Sequence, residues 1–344
     1  MPSTTPFPSS ALAPHRPVRV RAPAYRRSPL RWLPLIATLL LAGCFGGGSD
    51  DDGTPSVGVS IPPHAWLVER LAGDAVQIHV AVPPGASPAT HQPSDADMLA
   101  LKRCALYIRT GVPMEQGPWF ASLGDGSRIV DARSGVELRE MEHHSHGHAD
   151  HDHAHHDHDH NHAHHEHEHE HEHANAVMAG ADPHIWLAPD TLLIQVDTIA
   201  TALRELLPER ATAIDAAATQ LRDELQELDA ELQQRFVGHD DKTMLVYHPS
   251  WGYLARRYGF TMRSIEIAGK DPTDAELATL ESELAELHTD TLFVQPQIHG
   301  RGADRLAEAL ALEVVRIDPL RRDVPANLRQ TANLLLRSWG DESP

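Results

Sequence analysis

Seventeen of the 31 residues from 143 to 173 are histidine, and most of the rest are Asp or Glu. With almost no apolar side chain, such a stretch cannot offset the entropy lost on ordering, so it is an exposed loop outside any core. The fold must be built from the chain on either side of it, and both flanks show one pattern. Residues 57–61 are β-rich, 63–72 amphipathic, and 76–82 β-rich again; a helix-like stretch at 95–102 precedes strands at 105–108 and 128–130. Beyond the loop, helical periodicity runs over 190–206. Pro208 then opens a second helix that ends before Gly238, about 28 residues and roughly 40 Å at 1.5 Å per residue. Strands at 243–247, 261–266, 291–295 and 312–317 then alternate with helices at 250–258, 273–288, 304–310 and 325–339.

Such alternation predicts an α/β protein: two lobes with mostly parallel sheets, joined by a long rigid connector helix. The expected divisions are 1–43, 44–55, a first lobe at 56–207 that carries the loop, a connector at 208–237 and a second lobe at 238–341.

The first 43 residues hold Arg16, Arg19, Arg21, Arg26, Arg27 and Arg31, no acidic residue, and then the apolar run 33–42. That is the order of a secretory signal, too short to span a bilayer. The run ends in Leu41-Ala42-Gly43-Cys44, which resembles the bacterial lipobox. Cys44 is therefore the expected lipidation site, 45–54 a flexible tether, and the location extracytoplasmic, in the periplasm or at the cell membrane on a lipid anchor. Removal of the signal leaves 23 basic against 49 acidic residues, a net charge of −26 with His neutral. Such a surface argues against nucleic acid and favours cations. Cys104 is then alone, and its apolar neighbours mark it as a buried thiol.

In an open α/β sheet, ligands bind where strands end. His64, His91, His248 and His299 follow predicted strands, His184 sits in an Asp-Pro-His turn, and Asp318 closes the strand 312–317. Neutral imidazole and carboxylate are the ligands zinc prefers, and four from separate loops make a tetrahedral site. His15, His79, His239 and His288 read as ordinary polar positions. Pro183 and Pro249 stiffen the chain beside His184 and His248, and Trp186 and Trp251 offer apolar walls.

Five motifs occur in order: Val82-Pro83-Pro84-Gly85-Ala86-Ser87-Pro88, Asp182-Pro183-His184-Ile185-Trp186-Leu187, Tyr247-His248-Pro249-Ser250-Trp251-Gly252-Tyr253, Val294-Gln295-Pro296-Gln297 and Ile317-Asp318-Pro319-Leu320. Together, over residues 56–338, they resemble the substrate-binding lipoproteins of zinc and manganese ABC importers. The resemblance implies a monomer that holds one metal ion in the interlobe cleft, passes it to a membrane permease and catalyses nothing. It makes His184, His248 and Asp318 ligands, and it marks the His-rich insertion as typical of zinc-importing members. The chain departs from the family at Ala89, where a histidine is usual. His91, two residues on, replaces it if the chain there is extended, because side chains alternate with period two; His64 is the rival. His299, Glu266 and Gln297 are expected beside the ion or behind a ligand.

Imidazole-rich coordination favours Zn2+ over manganese, while nickel remains compatible with such donors. A zinc hydrolase would need a general base beside an open coordination position, and no HExxH helix supplies one outside the loop. A free-standing metal store would leave two folded lobes without a purpose. The loop histidines, His143, His144, His146, His148, His151, His153, His155, His156, His158, His160, His162, His164, His165, His167, His169, His171 and His173, are expected to bind further zinc weakly.

Overall fold

In the computed structural model, residues 53–123, 127–141, 180–265, 282, 289–298 and 302–341 are described, all within one folded unit, Asp51–Pro344. Cys44, the His-rich segment, Glu266, the helix expected at 273–288 apart from residue 282, and His299 lie outside the described residues.

The first half runs β1 (Ser56–Val59), α1 (Pro62–Ala72), β2 (Gln77–Val80), α2 (Asp95–Lys102), β3 (Leu106–Arg109), α3 (Pro118–Ala121) and β4 (Arg128–Asp131). Local chemistry sets the helix starts. Pro62 fits the first turn of α1, where no N–H is needed, and a reciprocal Ser94–Asp97 capping box opens α2. The second half runs β5 (Thr243–Val246), α6 (Gly252–Tyr258), β6 (Thr261–Ser264), β7 (Thr291–Val294), α7 (Gly302–Ala309), β8 (Glu313–Arg316) and α8 (Val324–Ser338).

Each half carries a four-stranded, all-parallel sheet, in the orders β2-β1-β3-β4 and β6-β5-β7-β8. This is the two-lobed α/β architecture that the alternation predicts. In both sheets the chain reverses its direction of travel between the two central strands, β1 and β3 or β5 and β7. Loops leaving neighbouring strands diverge there, and a crevice opens at the carboxyl ends.

Between the halves lie α4 (Pro189–Leu206) and α5 (Ala211–Phe236). Pro208 does not begin α5 as the sequence suggests. It opens a separate 3-10 turn, Pro208–Arg210, leaving α5 with 26 residues, about 39 Å at 1.5 Å per residue. Ile214, Ala218, Leu221, Leu225, Leu228, Leu232 and Phe236 recur every three or four residues and form its buried stripe. The stripe meets α1 and α4 on one side and α6 and α8 on the other. Ion pairs from α5 reach both halves: Glu224 with Arg70, Asp229 with Arg257, and Glu231 with Arg329. One continuous apolar cluster thus runs from Val57 and Leu67 through Leu225 to Val246 and Leu335, and a smaller one lies under α7. Among the described residues no helix is long and apolar enough to cross a membrane.

Leu225 is wholly buried where that cluster passes α5. Leu225→Ala is expected to lower stability by about 2–5 kcal/mol through lost transfer energy and a residual cavity. Urea unfolding should show a reduced midpoint, and an unchanged midpoint would contradict a shared core.

Candidate metal centre

A cavity of about 390 Å³ lies at the carboxyl ends of both sheets. Ser87, Pro88, Ala89 and Thr90 come to it from the loop after β2, and Val112 and Pro113 from the loop after β3. His248 and Pro249 follow β5, Gln295, Gln297 and Ile298 follow β7, and Pro319 and Leu320 follow β8. Met141, Pro183, His184 and Trp186 complete the described lining, most of which is apolar. In this setting the rings of His184 and His248 meet edge to face, with centroids 5.4 Å apart.

His184 is tightly oriented. Asp182 Oδ1 accepts its backbone N–H at 3.0 Å and its ring Nδ1 at 2.7 Å. A carboxylate only accepts, so Nδ1 carries the proton and Nε2 is the unprotonated nitrogen, the arrangement typical of metal-binding histidines. Burial pushes the His184 pKa below its ordinary value, outweighing the pull of Asp182, so the ring stays neutral. Asp182 is itself held: Oδ2 accepts Arg139 Nη1 at 2.8 Å, and its carbonyl accepts Tyr253 Oη–H at 2.9 Å. Arg139 in turn depends on Gly252, where an added Cβ would stand 1.2 Å from its Nη1. The glycine four residues after His248 therefore makes room for the arginine behind His184.

Asp318 stands one hydrogen bond away from the cleft lining. Its Oδ1 accepts Gln297 Nε2 at 2.6 Å and the Leu320 N–H at 2.9 Å. The residue borders an adjoining cavity of about 130 Å³ with Arg316 and Arg321, and Gln297 lines the cleft itself. The structure thus brings together His184, His248 and Gln297, with Asp318 behind the glutamine. Among the described residues no three His, Cys, Asp or Glu side chains converge closely enough to hold an ion.

Two expectations meet different surroundings. The chain at 87–91 is a turn, in which the Ser87 carbonyl accepts Thr90 N at 3.2 Å and His91 N at 2.9 Å. Period-two projection needs an extended chain, so it does not carry His91 to where Ala89 points; Ala89 and Thr90 line the cleft. Nε2 of His91 is buried without a hydrogen-bond partner. His64 is placed in the core of the first half, fully buried, and not in the cleft. Gln195 Nε2 donates to the carbonyls of Ile185 and Thr191, which turns its Oε1 toward His64 Nε2 at 2.9 Å. Nε2 of His64 therefore carries the proton, and Nδ1 accepts from the Thr110 hydroxyl at 3.0 Å. Both ring nitrogens are committed, and burial lowers the pKa to about 4 against the opposing pull of Gln195 and Asp131. Sequence reasoning missed Arg139, Thr110 and Gln195, which lie in no motif and contribute only through tertiary packing.

The family described as zinc-uptake complex component A, periplasmic (ZnuA), matches residues 57–331. The chain belongs to the ZnuA family. The match begins in β1 and ends in α8, so it covers both sheets and every described loop of the cleft. A putative metal-binding protein of Chlamydia muridarum is 24% identical over 279 residues, covering 78% of this chain and 86% of the relative. The high-affinity zinc uptake system protein ZnuA of Haemophilus ducreyi is 28% identical over 143 residues, 40% of this chain and 46% of the relative. A solved ZnuA deletion mutant with zinc bound superimposes with a TM-score of 0.69 at 27% identity, covering 85% of this chain and all of the neighbour.

The state of His64 sets a pH dependence. A folded pKa of about 4 against 6.5 unfolded means that the unfolded chain binds the proton first, so stability falls as pH drops from 6.5 toward 4. The slope from this group is about 1.4 kcal/mol per pH unit. Chemical unfolding of wild type and His64→Gln across that window should show the steeper loss in wild type; parallel curves would contradict the assignment.

Proposed function

We propose that the chain is the extracytoplasmic receptor of an ABC-type zinc importer, capturing Zn2+ in the cleft and passing it to the membrane permease. The observation that carries this reading is the pairing of His184 and His248, with a neutral imidazole presented through Nε2 by a buried carboxylate. Nitrogen donors at the centre favour zinc over manganese. Asp318, tethered by Gln297, supplies the carboxylate as third ligand. His91 reaches the ion when the turn at 87–91 opens. Family membership and the apolar cleft lining support a binding role with no chemical step. The lipid on Cys44, the monomeric state and weak supplementary zinc binding by residues 143–173 belong to the same reading, resting on the sequence alone.

Alanine in place of either His184 or His248 is expected to lower the affinity of the tightest zinc site by more than about 100-fold, beyond what residues behind a ligand typically command. Competition against a chromophoric chelator measures it, and full affinity in either variant removes that residue from the site. Deletion of residues 143–173 is expected to leave the tight event intact in titration calorimetry while the weak ones vanish. Loss of the tight event would place one of its ligands in that segment.

A further inference from the structure

Trp186 does more than wall the cleft. Its indole is fully buried, its ring lies 5.2 Å from that of His184, and its Nε1–H donates to the Pro319 carbonyl at 2.6 Å, across 133 residues of sequence. Both ends of this bond are fixed. On one side, Thr191 Oγ1 and Gln195 Nε2 donate to the carbonyl of Ile185, in the short turn Ile185–Leu187 that contains Trp186. On the other, Pro319 adjoins Asp318, whose carboxylate is held by Gln297 and Leu320 and whose carbonyl accepts Asn327 Nδ2 at 2.9 Å. A wall needs only a large apolar ring. An indole N–H is a donor without accepting capacity, and here its bond joins the turn beside one proposed ligand to the residue following another.

We infer that Trp186 is a positioning residue that sets the distance between His184 and Asp318 across the cleft through its hydrogen bond to Pro319. The inference rests on the reading that His184 and Asp318 both hold the ion. The indole joins two separate segments that both line the cleft, so the two donors are spaced by the protein before any ion arrives. Such pre-spacing spares a captured ion the task of drawing the loops together.

The test is a double-mutant cycle in the full chain, with zinc affinity read by chelator competition and Co2+ as a spectroscopic probe. Trp186→Phe keeps an apolar ring and removes the donor. It is expected to weaken the tight site about 10-fold, in the range typical of residues that orient a ligand, and to alter the visible Co2+ bands. Asp318→Ala should weaken binding by itself. In the Asp318→Ala background, Trp186→Phe should cost nothing further, because no second donor remains to be spaced. An equal cost in both backgrounds, or unchanged affinity and Co2+ bands in Trp186→Phe, would overturn the inference. Unaltered affinity in Asp318→Ala would instead overturn the ligand reading on which it stands. If the phenylalanine variant melts early, 3-benzothienylalanine at position 186, matching indole in shape but lacking the N–H, should give the same coupling.

Discussion

The carboxylate of Asp182 is fully buried, and the site follows from how it is compensated. A buried anion is tolerated only with a paired cation and a full set of donors, and removing one partner of such a pair typically costs about 3–5 kcal/mol. Here the cation is Arg139, and the donors are the backbone and ring nitrogens of His184. Arg139 packs where Gly252 leaves a gap, and Tyr253 from the same helix holds the Asp182 backbone. The segment after one imidazole thus buttresses the turn that carries the other.

Topology explains why that buttressing occurs at the cleft. Two parallel sheets, each reversing direction at its centre, present their diverging loops at carboxyl ends, and every described lining segment that follows a strand leaves from such an end. Charge and chemistry divide the work. The chain carries a formal charge of −20, a long-range field that gathers cations, while the polar side chains that converge in the cleft are chiefly imidazoles and amides. A cation drawn in by the surface meets donors that select by softness and geometry.

Periodic features were legible in the sequence, and single-site geometry was legible only where rigid neighbours fixed it. The alternation of strand and helix patterns foretold both sheets, and Pro208 and Gly238 bracketed the long helix that became α5. His184 and His248 could be singled out because prolines and tryptophans flank them. His64 shows the limit: it follows a strand as a ligand would, yet its partners, Thr110 and Gln195, are 46 and 131 residues away, so its burial has no local signature. The extended chain assumed in projecting His91 is a different matter. The Thr90 and His91 N–H groups both donate to the Ser87 carbonyl, so the segment is a local turn. Arg139 and Gln195 occupy unremarkable positions and matter only through what folding brings beside them.

The architecture also bears on how ions are told apart. Receptors built from two loosely linked lobes can discriminate by closing only around the right ligand. In this chain one apolar cluster runs unbroken along α5 through both halves, and hydrogen bonds such as Arg256 to the Glu137 carbonyl and Tyr253 to the Asp182 carbonyl tie them near the cleft. A wide hinge motion would expose much of that apolar surface, at about 25 cal/mol for every Å² returned to water. Small rearrangements of side chains and short loops, such as the turn at 87–91 or the amide of Gln297 against Asp318, cost far less. Selectivity therefore resides in donor identity and spacing more than in domain closure, and the loops that set the spacing carry the function.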